Sequence, residues 1–319
     1  MHIYRGKDGQ PLPSVTEIIN KTRPLSEVIK LNKSIEAKKK RLGMTDKDWA
    51  EYMHNAQQRG TNTHTFMETY TPLVEEANGY INDGLKVDSD LLQKIKSCQD
   101  FWRADPLIGE YVNSLIYFFR DLNKQTRDWR VVSSEQTLVN EALGYGGRGD
   151  LLLQIGENYM MLDLKSNGGY WSSWKQQQVY HWNLWRKPIK EDVMTTKVYA
   201  NGNTRQVKKK DANGKAIKRS EEMPPVEERD WTWVDAKIKD KFVQLCLYSM
   251  AMADMKRKGK IDFVPETAAI LVAFPTCYQL IKMPYSVWSG CKEESIQRVE
   301  QYKKDHLPKW KLEITFQQS

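Results

Sequence analysis

A chain of 319 residues that is 40% hydrophobic can bury one large core with an insertion, or two small ones. Its net charge of +8 at pH 7, with a pI near 9.0, favours a polyanionic partner such as nucleic acid, although a basic surface also serves plain solubility. The opening MHIYRGKDGQ lacks an apolar signal core and no run of about 18 apolar residues occurs, so no membrane association is expected and a cytoplasmic location is, in a host if the chain is viral.

In chain order, a short strand-like piece precedes PLPSVTEIIN, where Ser14 or Thr16 can cap a short helix. Lys21 to Gly60 reads as helical and charge-rich, with a break at Gly43–Met44 and a fresh N-cap at Thr45. Its run Lys38, Lys39, Lys40 and Arg41 forms either a solvated face or one side of a phosphate path. In RGTNTHTFMETYTPL, Gly60, His64 and Glu68 stack along one helix face, and Gly60 leaves room for a close approach. Alone, that pattern is a weak signal. Helices follow over Asp88–Ala104 and Leu107–Lys124, and the pattern then turns to strand at Trp129–Val139. Glu135, in this strand, faces either a site or solvent.

After a turn through Asn140–Tyr145, Arg148–Ile155 and Asn158–Ser166 read as two strands joined at Gly156–Glu157. Gly at the first position of a two-residue loop suits a type II′ turn. Counting outward from that turn places Asp150 opposite Asp163, with Lys165 on the face of Asp163 and Leu162 and Leu164 pointing into a core. Two carboxylates so placed repel by roughly 3 kcal/mol at about 5 Å and an effective dielectric of about 20. A divalent cation between them reverses the sign, and carboxylate oxygens are what Mg²⁺ takes. A neighbouring ammonium then holds a water or steadies developing negative charge. The hairpin reads as a hydrolytic metal site.

Beyond it, Trp171, Trp174, Trp182 and Trp185 lie near one helical stripe, suited to a core or to stacking of single-stranded bases. Residues 186–233 read as a charged insertion, a surface ribbon or partly disordered, with turns at Asn201–Gly202 and Asn213–Gly214 and a basic run at Lys208–Lys210. Asp235–Lys258 returns to helix, and Gln244 and Tyr248 share one face of it within an apolar run. Gln176 and Tyr180 form a competing pair without apolar surroundings. Strands at Thr267–Phe274 and Tyr278–Met283, a helix over Tyr285–Asp305 and a short C-terminal strand complete the chain. Cys98, Cys246, Cys277 and Cys291 form no C-x-x-C pair, so free thiols are expected, with Cys246 in a core.

Four patches now stand in order: Arg59-Gly-Thr-x-x-His64-x-x-x-Glu68, Gly149-Asp150, Asp163-x-Lys165 and Gln244-x-x-x-Tyr248. Together with Pro13-Ser14-Val15-Thr16, this set resembles the PD-(D/E)xK nuclease superfamily in its RecB-like branch, and within it the mitochondrial genome maintenance exonucleases and related phage exonucleases. The likeness spans roughly residues 12–316 without the insertion, and only the motifs are specific. It implies an α/β (α+β) fold, a mixed central β-sheet with an antiparallel meander flanked by helices, restriction-endonuclease-like in its core. A helical N-terminal part (1–125) would carry the His/Glu motif and residues 126–319 the interrupted nuclease core.

By the same resemblance, Asp150, Asp163, the Leu164 carbonyl and His64 hold Mg²⁺ or Mn²⁺, and Lys165 positions the water. Glu68 supports the site through water or a second ion, and Gln244 and Tyr248 orient the scissile strand and Lys165. Lys38–Arg41, Arg59, Trp171, Trp174, Gln244 and Tyr248 would contact DNA, single-stranded by preference. The clustered cysteines of iron–sulfur relatives are missing from the pattern, so no iron–sulfur cluster is expected. The implied activity is a DNA exonuclease in replication, recombination, repair or phage DNA processing. A structure-specific or nicking endonuclease, or an inactive binding module on the same fold, are the alternatives.

Overall fold

Capping residues set the first helix boundaries. Ser14 accepts from the Glu17 amide at 3.0 Å and opens α1 (Val15–Lys21), just after β1 (Tyr4–Arg5) and β2 (Pro11–Leu12) have paired. The computed structural model describes residues 3–167 and 184–306. α2 (Leu25–Leu42) ends on Gly43 in the left-handed conformation, and a reciprocal capping box between Thr45 and Asp48 starts α3 (Asp46–Asn82). As the helix-face reading of Gly60, His64 and Glu68 expects, α3 runs on through Gly60; it spans 37 residues and continues through Pro72 as well. Its buried side, Phe66, Met67, Tyr70 and Val74, packs into the core, and that burial outweighs the poor helix propensity of both residues. α4 (Ser89–Arg103) and α5 (Gly109–Gln125) follow.

β3 (Trp129–Asn140), β4 (Tyr145–Ile155) and β5 (Asn158–Ser166) form the expected antiparallel meander. Only Gly156 has a positive φ in the β4–β5 turn, at 61°, as a type II′ turn requires. The ladder then runs from Ile155↔Asn158 to Leu151↔Leu162, the register expected from the sequence. Four short strands come next, β6 (Lys190–Asp192), β7 (Met194–Val198), β8 (Thr204–Lys208) and β9 (Lys218–Ser220), paired β6 with β9 and β7 with β8. α6 (Ala236–Arg257), β10 (Thr267–Ala273), β11 (Tyr278–Lys282) and α7 (Tyr285–His306) complete the described chain.

The central sheet has five strands in the order β11-β10-β5-β4-β3, with β10 parallel to β5 and the other neighbours antiparallel. Helices flank it. Leu151, Leu153, Leu162 and Leu164 meet Phe66 and Tyr70 of α3 and Phe119 of α5, in one core. Leu138, Leu152 and Met161 meet Ile18 of α1, Phe242 of α6 and Val299 of α7 in a second, which also holds Cys246. The end of the expected insertion reaches this second core through Trp231, and Trp231 and Trp233 are both buried in a single 3-10 turn leading into α6. Two indoles two residues apart bury too much apolar surface to stay with a solvated ribbon. Trp185, at its start, packs against the same core. Trp171, Trp174, Gln176, Tyr180, Trp182 and the C-terminal strand expectation lie outside the described residues. Among the described residues, no helix is long and apolar enough to cross a membrane.

Candidate active site

Beyond the Leu151↔Leu162 pair the β4–β5 ladder stops, and the next residue on each strand is an aspartate. In place of the ladder, the Leu164 amide donates to Asp150 Oδ2 at 2.6 Å, so the backbone there serves a carboxylate. Asp163 is wholly buried. Its Oδ1 accepts from Lys165 Nζ at 2.8 Å, whereas its Oδ2 has no hydrogen-bond partner among the described residues. A buried carboxylate oxygen left in that state is costly, and a cation satisfies it.

Electrostatics agree with the geometry. Burial first, and then the charge of Asp163, push the Asp150 carboxyl up to about 6, against the opposing pull of Lys165 and His64. Burial favours a neutral Lys165, but Asp163 and Asp150 outweigh it and hold the ammonium above its usual range. Lys165 is therefore a proton-bearing cation at neutral pH.

His64, halfway along α3, donates from Nδ1 to Glu135 Oε1 at 2.8 Å, and the same nitrogen lies 3.7 Å from Asp150 Oδ1. Among the described residues, the group able to hold a metal ion is His64, Glu135 and Asp150, with ligand atoms within 4.8 Å of one another. Adjacent ligands around an octahedral ion with bonds of about 2.1 Å stand about 3 Å apart, near the 2.8 Å and 3.7 Å that separate His64 Nδ1 from Glu135 and Asp150. The sequence leaves Glu135 facing either a site or solvent, and the structure turns it to the site. The signal was present: the Asn140–Tyr145 turn, counted outward as for the hairpin, sets Glu135 against Asp150. Its φ of 52° lies in the left-handed region, and neither it nor Asp150 appears in the β3–β4 ladder, which pairs Ser134 with Leu151 and Gln136 with Gly149.

Arg148 ties this edge together. Its Nε lies 2.6 Å from Glu135 Oε2, and its Nη2 donates to Glu68 Oε1 at 3.1 Å. Glu68 thus reaches the cluster through Arg148. On the opposite side, Gln244 Nε2 donates to the Tyr248 hydroxyl at 3.0 Å. The Tyr248 ring lies against β4 at Gly147, where a Cβ would sit 2.4 Å from its Cε1. Lys241, one turn before Gln244 on α6, is a lysine that sequence reasoning missed; burial, with Lys165 nearby, holds it below the usual lysine range. Its place three and seven residues before the Gln/Tyr pair was the available signal.

A scan against protein-family models and a search of curated proteins each return no match.

The residues expected to contact nucleic acid are less uniform. Lys38 donates to the Tyr52 hydroxyl at 2.7 Å, and Lys39 pairs with Glu36 and Asp46, so both are engaged in the α2–α3 hairpin. Lys40 and Arg41 are exposed. Arg59 lays its guanidinium 5.6 Å from the Tyr111 ring, with Nε buried and without a hydrogen-bond partner among the described residues.

Proposed function

We propose that the chain is a divalent-metal-dependent phosphodiester hydrolase of the PD-(D/E)xK type, with a restriction-endonuclease-like core, acting as a DNA exonuclease. One observation carries the reading: Asp150 and Asp163 meet where the ladder ends, with Lys165 on Asp163 Oδ1 and a buried, unpartnered Oδ2 beside it. His64, Asp150 and Asp163, with Glu135, would hold the ion. When bound, it supplies Lewis-acid stabilisation of charge on the phosphate.

The chain's own groups divide the remaining work. Lys165, kept protonated, donates to the water or to the developing charge rather than accepting a proton. Burial raises the Tyr248 phenol well above its usual range, so it stays neutral. Because its oxygen accepts from Gln244, its own proton is available to a phosphate oxygen. Lys241 adds an amine on the same helix face, less basic than an ordinary lysine because of burial and nearby Lys165. Digestion of linear single strands, linear duplexes and closed circles, each linear form labelled at either end, tests the reading with Mg²⁺, Mn²⁺ and EDTA. The expected result is metal-dependent loss of linear single strands with circles intact. Rapid cutting of circles would support an endonuclease with the same chemistry, and no cleavage with either metal would overturn the proposal.

A further inference from the structure

We propose that the β7–β8 hairpin is a DNA grip, holding the phosphate backbone outside the hydrolytic cluster. The proposal rests on the nuclease reading only for the choice of DNA as the polyanion. Between Lys187 and Ser220 the chain has ten basic and three acidic side chains, a net of +7 against +8 for the whole molecule. Every residue of β7 is exposed, so the hairpin contributes nothing to a core. Two-stranded hairpins are marginal alone, and this one is built against its own charges. Lys197 stands directly opposite Arg205. Like charges across a strand pair are destabilising, and a phosphate between them reverses the sign.

The arm's acids do not serve that pair. Asp192 is matched by Lys208, and Asp211 accepts from the Asn213 and Lys215 amides of the second turn. Among the described residues, no carboxylate lies within ion-pair distance of Lys197 or Arg205. Tyr199, two residues beyond Lys197 and so on its side of the strand, is 41% exposed, with Lys197 Nζ 5.4 Å from its ring centroid. Cations flanking an exposed aromatic ring, with Thr195 beside them, suit phosphates and a stacked base. A two-stranded ribbon also fits the major groove of a duplex.

The base of the arm is anchored at the 3-10 turn before α6, the helix that carries Lys241, Gln244 and Tyr248. Arg186 pairs with both oxygens of Glu221 and lies 3.9 Å from the Trp233 ring, at the start of α6. From its Asp235 cap, α6 reaches Gln244 in about 14 Å.

The test is anisotropy of labelled single-stranded and duplex oligonucleotides in EDTA, at several salt concentrations, with the full chain carrying Lys197→Glu and Arg205→Glu. The expected result is at least tenfold weaker binding near 0.1 M salt, with the slope of log affinity against log salt flatter by about 1–2. Tyr199→Ala should weaken single-strand binding alone. Hydrolysis of the p-nitrophenyl ester of thymidine 5′-monophosphate, too short to reach the arm, should be unchanged. If the charge reversal prevents folding, Lys197→Gln with Arg205→Gln gives the same readout. Unchanged affinity and salt slope would overturn the grip, as would a parent that binds no DNA or prefers phosphatidylserine vesicles to it. A parent that binds DNA through the arm but cleaves neither substrate keeps the grip and loses the nuclease reading.

Discussion

Glu135 sits in the left-handed region, where an L-residue is held at a cost of about 1–2 kcal/mol. Its side chain shows what sustains it, the contacts to His64 and Arg148. Glu135→Gln keeps the shape and removes the charge, so Mn²⁺ affinity measured by isothermal titration should fall about 10- to 100-fold. Asp150→Asn should abolish cleavage and stabilise the metal-free protein. The sign follows from a folded-state pKa raised to about 6 above the ordinary 3.8. Ionising Asp150 penalises the folded state, with no penalty below the unfolded pKa and the full one above about 6. In EDTA the Asn variant should therefore match the parent near pH 3.5 and exceed it by on the order of 3 kcal/mol at pH 7, measured by urea unfolding. Asp163→Asn should bring no such gain, because it deprives half-buried Lys165 of its partner.

At the scale of elements, Gly147 lets Tyr248 of α6 lie flat on β4. Gly147→Ala puts a methyl group 2.4 Å from the ring and 3.2 Å from Val15 Cγ2. The ring must move, so kcat should fall at least tenfold while stability drops by about 1–3 kcal/mol, read from cleavage kinetics and urea unfolding. What the sequence made legible here was local chemistry. Asp88 and Asp235 cap the helices that they were expected to begin, and one glycine fixed the hairpin register. What escaped it depended on distant packing. The continuity of α3 across Pro72 is imposed by the core beneath it. Burial of Trp231 likewise depends on α7, where Glu294 accepts from its indole at 2.6 Å. Of the site, the carboxylate pair and its lysine followed from strand phase, whereas the Arg148 clamp and the partnering of His64 needed three elements in place at once.

For the whole molecule, the solvated arm and the buried cores are separable. Replacing Asp192–Lys218 with a short Gly/Ser linker keeps the Arg186–Glu221 anchor, and the melting temperature should stay within about 2 °C of the parent, since this segment buries little apolar surface. The sheet also has an order in time. β3, β4 and β5 join through short turns, but β10 pairs with β5 only after residues 167–266 have been made and brought back. Closing so long a loop is entropically slow, whereas the meander needs only local contacts. In pulsed hydrogen exchange during refolding, amides of Leu151–Leu153 should be protected before those of Ile270–Val272; simultaneous protection would refute the order. The two aspartates of the hairpin therefore come together before α6 delivers Gln244 and Tyr248. For that interval the nascent chain presents an acidic pair without the helix that covers it, a short-lived cation trap on the way to the finished protein.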